Sequence, residues 1–388
     1  MHWYRNDEPQ GRFIGSTANM DIYAETYTNA SARQKESTYR KADQEFIFSY
    51  GPASGMLESS EIDLFTPGEI INHVDVGTDV RKRILRLARS NPVDALMKFE
   101  RINGFHGASH AICFISALED AMDIIPDRKL QYNRIVQIEC ERIRSNLMVI
   151  ERMAQAAGFG VPVNQLAFLR EKMSRIIGRR GGHRYFFGVN SINNSCFNTE
   201  VIGKQTGSVA EDFNDIFRGL SESKLFINRL QDNGINRDSL SIGPAARASG
   251  MMHDARMDSG TLPYEDTSYA IVTNDEKDAY GRFMVRAEEI EVSSNIIKHL
   301  EKRCRDLGKY DYSMKDGEGM ARVESPPGDL FCSVKIAGGK LESSGYIPPS
   351  IRNIESFRES MKGNIFTDFH FNWESYGIWV AEAGVVLQ

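Results

Sequence analysis

The spacing of hydrophobic positions changes along this chain and divides it into strand-like ends around a helical middle. From Phe46 to Val76 short apolar stretches alternate with Gly and Pro, as in FIFSYGPASG and IDLFTPGEIINHVDV, which predicts strands joined by turns. From Thr78 the spacing becomes helical. Val80–Arg89 reads as a basic amphipathic segment, Asn91-Pro92 breaks it, and a new helix starts at Val93. His110–Ile124 is apolar over most of its first half, as a buried central helix should be, and Pro126 ends it. Leu130–Gly158 places charges between Ile135, Ile138, Ile143, Leu147 and Ile150. Gly158 supplies a stop, and Pro162 a restart into Val163–Ile177.

Two further helices are predicted over Phe213–Asp232 and Asp275–Cys304, the latter with Phe283, Ile290, Ile296, Ile297 and Leu300 as its main apolar residues. After Gly319 the pattern returns to short strands, with Leu330–Ile336 and Lys340–Ile347 flanking Gly338-Gly339 as a hairpin. Several long helices without regular β-α alternation predict an α+β, mainly helical fold, with a central long-helix bundle and small marginal β-sheets. Residues 1–45 are polar and lack periodicity. They read as an extended arm that orders on a partner, ahead of a folded domain over 46–388.

Composition narrows the function. The chain is 41% hydrophobic and 26% charged, as globular proteins are, and its net charge of −6 argues against a general nucleic-acid binder. No apolar run reaches membrane-span length, and Met1–Gln10 is too polar for a signal peptide, so a membrane connection is expected through partners. Cys113, Cys140, Cys196, Cys304 and Cys332 are scattered with no C-x-x-C pair, which fits neither a disulfide framework nor a thiolate metal site.

Candidate chemistry sits in collinear motifs. Glu100-Arg101-Ile102-Asn103-Gly104-Phe105-His106 leads to His110. Arg134, Glu139, Arg142, Ser145, Asn146 and Leu147 share one helix. Gly243-Pro244 precedes Arg247-Ala248-Ser249-Gly250, then Asp254 and Arg256, and Pro263-Tyr264 follows. Pro326-Pro327-Gly328-Asp329 and Pro349-Ser350 come later.

In this order the set resembles the large-subunit superfamily of nickel–iron hydrogenases, in its complex-I-like branch. The first run is similar to E-R-x-C-G-x-C-x-x-x-H, with Asn103 and His106 where cysteines stand. The best register for the second metal-binding motif, D-P-C-x-x-C, is Asp368-Phe369-His370-Phe371-Asn372-Trp373, which sets His370 and Trp373 at the other two positions. Gly243 to Arg256 is close to the G-P-x-x-R-A-S-G-x-x-x-D-x-R motif of energy-converting hydrogenases and complex I. Three departures stand out. Gly51-Pro52-Ala53-Ser54-Gly55 lacks the histidine of G-P-x-H-P, Asn146 replaces a histidine, and Gly104 replaces the tyrosine that in complex I helps hold the quinone head group.

A nickel–iron centre needs four soft thiolates, and Asn, His, His and Trp do not supply them. The resemblance therefore implies a scaffold that has given up hydrogenase chemistry and binds no cofactor of its own. It further implies an oxidoreductase subunit with an electron-acceptor, quinone-type cavity. Its partners would be an iron–sulfur small subunit, other peripheral-arm subunits and membrane ion-translocating subunits, on the cytoplasmic side of the membrane. Arg101, His106, His110, Arg247, Asp254 and Arg256 are the candidate catalytic residues. A substitute metal held by His106, His110, His370 and Asp79 is the weaker reading, histidines hydrogen-bonded inside a former cavity the stronger. A catalytically inactive scaffold is the alternative to the redox function.

Overall fold

The computed structural model describes residues 44–51, 60–237, 241–305, 307–308 and 311–388, together with the backbone of three short strands near the amino end. Those strands, β1 (His2–Tyr4), β2 (Arg12–Ser16) and β3 (Asp21–Ala24), pair in the order β1-β3-β2. They lie within the segment read as a polar arm. The rest of that arm up to residue 43 falls outside the described residues, as do Pro52–Gly55 of the altered G-P-x-H-P run.

A second antiparallel sheet, β4 (Phe46–Tyr50), β5 (Glu61–Thr66) and β6 (His73–Gly77), matches the predicted amino-terminal strands. The next segment does not match. Val80–Arg89 forms a single helical turn, Asp79–Arg81, and then strand β7 (Arg83–Leu85), with only Leu87 buried. The reason is tertiary. The Arg83 guanidinium reaches the carbonyls of Arg101, Ile102 and Ala381, which fixes an extended backbone that β13 (Val385–Leu387) pairs with in parallel.

Helix α1 (Pro92–Phe99) begins where predicted: Asn91 caps it, the Val93 N–H donating to Asn91 Oδ1 at 2.8 Å, and Pro92 occupies the first turn. Helix α2 (Gly107–Ala121) is buried along nearly its whole length, and α3 (Arg128–Ala156) is the 29-residue spine of the molecule. Asp127 caps α3 through the Lys129 N–H. Beyond its exposed first turn, most charges along α3 are buried. Arg134, for instance, makes two 2.6 Å bonds to Glu119 of α2.

Helix α4 (Gly160–Gly181), a two-residue β-ladder of β8 (Asn190–Ser191) and β9 (Asn194–Ser195), and helices α5 (Ile202–Glu222) and α6 (Lys224–Leu230) follow. The single helix predicted over 213–232 is thus longer at its start and broken at Ser223, whose hydroxyl caps α6. Two single-turn helices, α7 (Pro244–Arg247) and α8 (Ala255–Asp258), precede the long α9 (Ala279–Leu300).

The predicted hairpin, β11 (Gly328–Ala337) and β12 (Lys340–Ile347), is joined by β10 (Gly317–Ser325) into a three-stranded antiparallel sheet lying on α2. A β-carbon on Gly319 would meet the Ala117 carbonyl at 2.3 Å, so only glycine admits this approach of strand to helix. Helices α10 (Pro349–Met361), α11 (Phe369–Tyr376) and α12 (Val380–Ala383) complete the chain before β13.

The main core joins α1, α2, α3, α4, α5 and α9 with the β10–β12 sheet. A second core sets Ile62, Leu64, Val74 and Val76 against Phe357, Phe369, Trp373 and Tyr376. The fold is the expected mixture of long helices with small sheets. Among the described residues no helix is long and apolar enough to cross a membrane.

Candidate functional site

The loop after α1 enters α2 through one tight turn, Gly104–His106. Asn103 starts that turn by accepting the Phe105 N–H at 3.0 Å. Glu141, reaching across from α3, accepts the N–H groups of Ala108 and Ser109 at 2.8 and 3.1 Å and so takes up free donors at the start of α2. This clamp fixes His106 and His110 one helical turn apart. From the other end of the chain, α11 stops at Gly377, whose φ of 65° suits glycine, and the chain turns inward through Trp379 to α12.

At this junction the two ends meet. Asn103 Nδ2 donates to Glu382 Oε2 at 3.0 Å and lies 3.1 Å from His106 Nδ1. The Trp379 ring stands edge-on to His106 at 5.3 Å and stacks on Phe105 at 5.4 Å. Glu382 Oε1 accepts the Ser350 hydroxyl at 2.6 Å, and its Oε2 is 3.9 Å from His110 Nε2. Asn103, His106, His110 and Glu382 are all buried.

The contacts assign the tautomers. His106 Nδ1 faces an amide donor, so its proton sits on Nε2, 3.0 Å from Ser145 Oγ. His110 Nδ1 donates to the His106 carbonyl at 2.8 Å, which leaves Nε2 to accept the Tyr346 hydroxyl at 2.8 Å. Burial holds both imidazoles below the ordinary histidine range. Burial works against the Glu382 charge, but His106, His110 and the Asn103 amide outweigh it and hold the carboxyl below its ordinary value. The cluster sets one buried carboxyl group within 4.0 Å of two buried imidazoles.

A cleft of about 560 Å³ opens over Asn103. Arg81, Lys82, Arg83 and Arg101 supply its cations, and Phe105, Tyr185, Phe187 and Trp379 its flat apolar walls. Gly104, at the position of complex I's quinone-binding tyrosine, lies in the lining as well.

The six candidate residues from the sequence fall into three places. Arg101 is on the cleft, over the Phe187 ring at 4.7 Å and paired with Glu100. His106 and His110 belong to the buried cluster. Arg247, Asp254 and Arg256 lie in a separate network. There Arg247 contacts Asp254, Glu289 and Glu324 at 3.0, 2.9 and 2.7 Å, and Arg256 contacts Asp254 and Glu289 at 2.6 and 2.8 Å.

Asp254 is held below its usual range because Arg256 and Arg247 outweigh its burial, and Glu289 is likewise held at about 2. Glu324 goes the other way: burial, then the charge of Asp254, pushes it up to about 7. The network and the histidine cluster meet on α3. Ser145 contacts His106, and its neighbour Asn146 donates to Glu289 at 3.3 Å and accepts from Arg286 at 3.1 Å.

One register needs correcting. His370 lies beside Tyr50 and Phe369, and Trp373 is buried in the second core against Phe357 at 5.0 Å. The residues that meet Asn103 and His106 are Trp379 and Glu382, nine positions downstream with the same x-x spacing. The stretch standing in the D-P-C-x-x-C register is therefore Gly377-Ile378-Trp379-Val380-Ala381-Glu382.

These residues do not fit a nickel–iron centre. An amide, an imidazole, an indole and a carboxylate offer no thiolate, and the amide, imidazole and carboxylate are engaged with one another and with Ser145 and Ser350. The imagined set of His106, His110, His370 and Asp79 is not assembled either. Asp79 is exposed beside Lys82, and among the described residues no group of three His, Cys, Asp or Glu is arranged to hold a metal ion.

Glu382, Trp379, Arg83 and Tyr346 escaped the sequence reading. The repeated x-x spacing of Trp379 and Glu382 was the available signal for two of them. Arg83 and Tyr346 carried none.

The likeness to known proteins runs along most of the chain. The profile of the family described as respiratory-chain NADH dehydrogenase, 49 Kd subunit, matches residues 169–315. The membrane-bound hydrogenase subunit alpha of Pyrococcus furiosus is 24% identical over 355 residues, covering 82% of this chain and 82% of that relative. A subunit of the NADH-quinone oxidoreductase of Chlorobium luteolum is 24% identical over 364 residues, covering 84% of this chain and 90% of the relative. Among solved structures, a chain of the membrane-bound sulfane sulfur reductase, an archaeal respiratory membrane complex, superposes with a TM-score of 0.80. It has 20% identity and covers 89% of this chain and 99% of its own length. With four collinear motifs and this fold, the chain is related to the complex-I-like branch of the nickel–iron hydrogenase large-subunit superfamily.

Proposed function

We propose that this chain is the hydrogenase-like large subunit of a membrane-associated, complex-I-related oxidoreductase, and that the cleft over Asn103 receives the electron acceptor. The observation that carries this reading is the convergence of Asn103 and Trp379, which line one wall of an open cleft, with His106 and Glu382 buried behind them. Of these four, His106 and Glu382 can hold and release a proton, beside the flat aromatic surface of Trp379. An iron–sulfur cluster in a small partner subunit would deliver electrons, a quinone-type molecule would accept them, and membrane subunits would move ions. The cytoplasmic side of the membrane suits a subunit held this way by its partners. The chain's own part is to stack the acceptor on Trp379 and Phe105 and to present a proton from the His106–Glu382 cluster.

A structural scaffold is the second reading. It is favoured by the closed hydrogen bonding of Asn103, His106 and Glu382, which a purely architectural role would also need. The two readings separate in the intact complex purified from its native membrane and driven by a reduced viologen dye, with menaquinone as acceptor. Acceptor reduction that falls at least about tenfold in His106→Gln and Trp379→Leu, with subunit composition unchanged, supports the redox reading. Turnover that ignores both substitutions supports the scaffold.

A further inference from the structure

We infer that the acceptor cleft takes a small conjugated anion in preference to an uncharged ring, an inference that rests on the cleft being the acceptor site. The whole chain carries a net charge of −6, yet among the described residues those lining this cleft include Arg81, Lys82, Arg83 and Arg101 and no aspartate or glutamate. The charge there runs against the composition of the molecule.

Nor is that charge cancelled by close acidic partners. Arg83 spends its donors on three backbone carbonyls, those of Arg101, Ile102 and Ala381, and so keeps its full charge. Lys82 reaches Asp79 only at 3.8 Å, with both side chains 43% exposed, a contact that contributes little. Arg101 is the one member closely paired, with Glu100. Glu382, buried behind Asn103 and held by Asn103 and Ser350, offsets part of this charge and leaves a cationic excess at the cleft. Arg144 adds a further cation behind the wall. Its guanidinium lies 4.5 Å from the centre of the Phe105 ring and donates to the carbonyls of Arg184 and Phe105.

A cleft of about 560 Å³ has the volume of a pocket for a fused-ring ligand. Charges spaced around it lie within about one screening length at physiological salt and so act on one occupant together. A concave wall further concentrates their field. A neutral ring gains only the apolar contact that the aromatic lining offers, whereas an anionic ring gains that contact and the field. Trp379 is partly exposed at the mouth, so occupancy should be read in its emission.

The test uses the full-length chain with two probes of like ring system, naphthoquinone sulfonate and uncharged menadione. Binding is followed by tryptophan fluorescence and by calorimetry at low and high salt. The sulfonate should bind at least about tenfold more tightly at low salt, and the difference should shrink several-fold as salt rises. Neutralising the exposed pair, Arg81→Gln with Lys82→Gln, should weaken the sulfonate several-fold and leave menadione unchanged. Trp379→Phe should remove the quenching of both while binding persists by calorimetry. Equal affinities, or a preference that survives both high salt and the double substitution, would overturn the anion preference and leave the acceptor cleft standing. Binding of neither probe would overturn both.

Discussion

Asn103 donates a 3.0 Å hydrogen bond to Glu382, a residue 279 positions later in the chain. That single bond closes the site. It joins the loop before α2 to the turn after α11. In place of four sulfurs the chain has built a polar cluster whose members are each other's partners, beside an aromatic cleft.

If Glu382 holds the junction, removing it should be costly. Glu382→Ala leaves the Asn103 amide and the Ser350 hydroxyl buried without their acceptor and is expected to destabilise the protein by about 2–4 kcal/mol. Glu382→Gln, which keeps an acceptor oxygen, should cost about half as much. Denaturant titration of the two variants measures the difference, and equal losses would show that the hydrogen bonds are not what Glu382 supplies.

The register of the carboxyl-terminal motif can be checked with metal. Replacing Asn103, His106, Trp379 and Glu382 together by cysteine should gather four thiolates and bind one cobalt(II), seen by its intense sulfur-to-metal absorption. Cysteines at Asn103, His106, His370 and Trp373 should bind none in that geometry, because His370 and Trp373 lie elsewhere.

Two buried groups give opposite pH dependences. Burial holds His106 low, while in the unfolded chain it titrates near about 6.5. Its stability contribution is therefore present above that pH and lost as pH falls and the unfolded chain alone gains the proton. Burial and Asp254 raise Glu324 to about 7, so its contribution is full below the unfolded value of about 4.3 and lost as pH rises through 7. Relative to the unaltered protein, His106→Gln should gain stability on going from pH 7 to 5, and Glu324→Gln on going from pH 5 to 8. Unfolding midpoints across that range check both signs.

Arg247 is the hub of the second network. Arg247→Met leaves Glu324 without its close cation and removes a partner from Asp254 and Glu289, an expected loss of about 3–5 kcal/mol. The loss should be largest at high pH, where all three acids are ionised. A thermal scan of Arg247→Met against Arg247→Lys would show whether the charge or the fork of donors is required.

Much of this was legible in the sequence, for identifiable reasons. The long helices announced themselves by their apolar spacing and their caps, Asn91 and Asp127 among them. The motifs from Glu100 to His110 and from Arg247 to Arg256 fell into family order. Long-range contacts were not legible. Val80–Arg89 has a helical pattern, but Arg83 is drawn out to three carbonyls and its strand pairs with Val385–Leu387, a partner no local window contains. His370 and Trp373 fitted because Asp368 matched the motif's Asp, but with Pro and both Cys gone one residue and the spacing no longer discriminate. Only the fold selects Trp379 and Glu382. The partners of the α3 charges were not legible either: Glu119 meets Arg134, and the backbone carbonyls of Glu324 and Ser325 meet Arg142, inside the core.

The measurement that tests the central claim most directly is purification of this chain from its native membrane in mild detergent, with partners identified by mass spectrometry and metals by elemental analysis. Recovery with an iron–sulfur small subunit and ion-translocating membrane proteins, with iron present and nickel absent, is the predicted result. Recovery of the chain alone, or with unrelated soluble proteins, would contradict it.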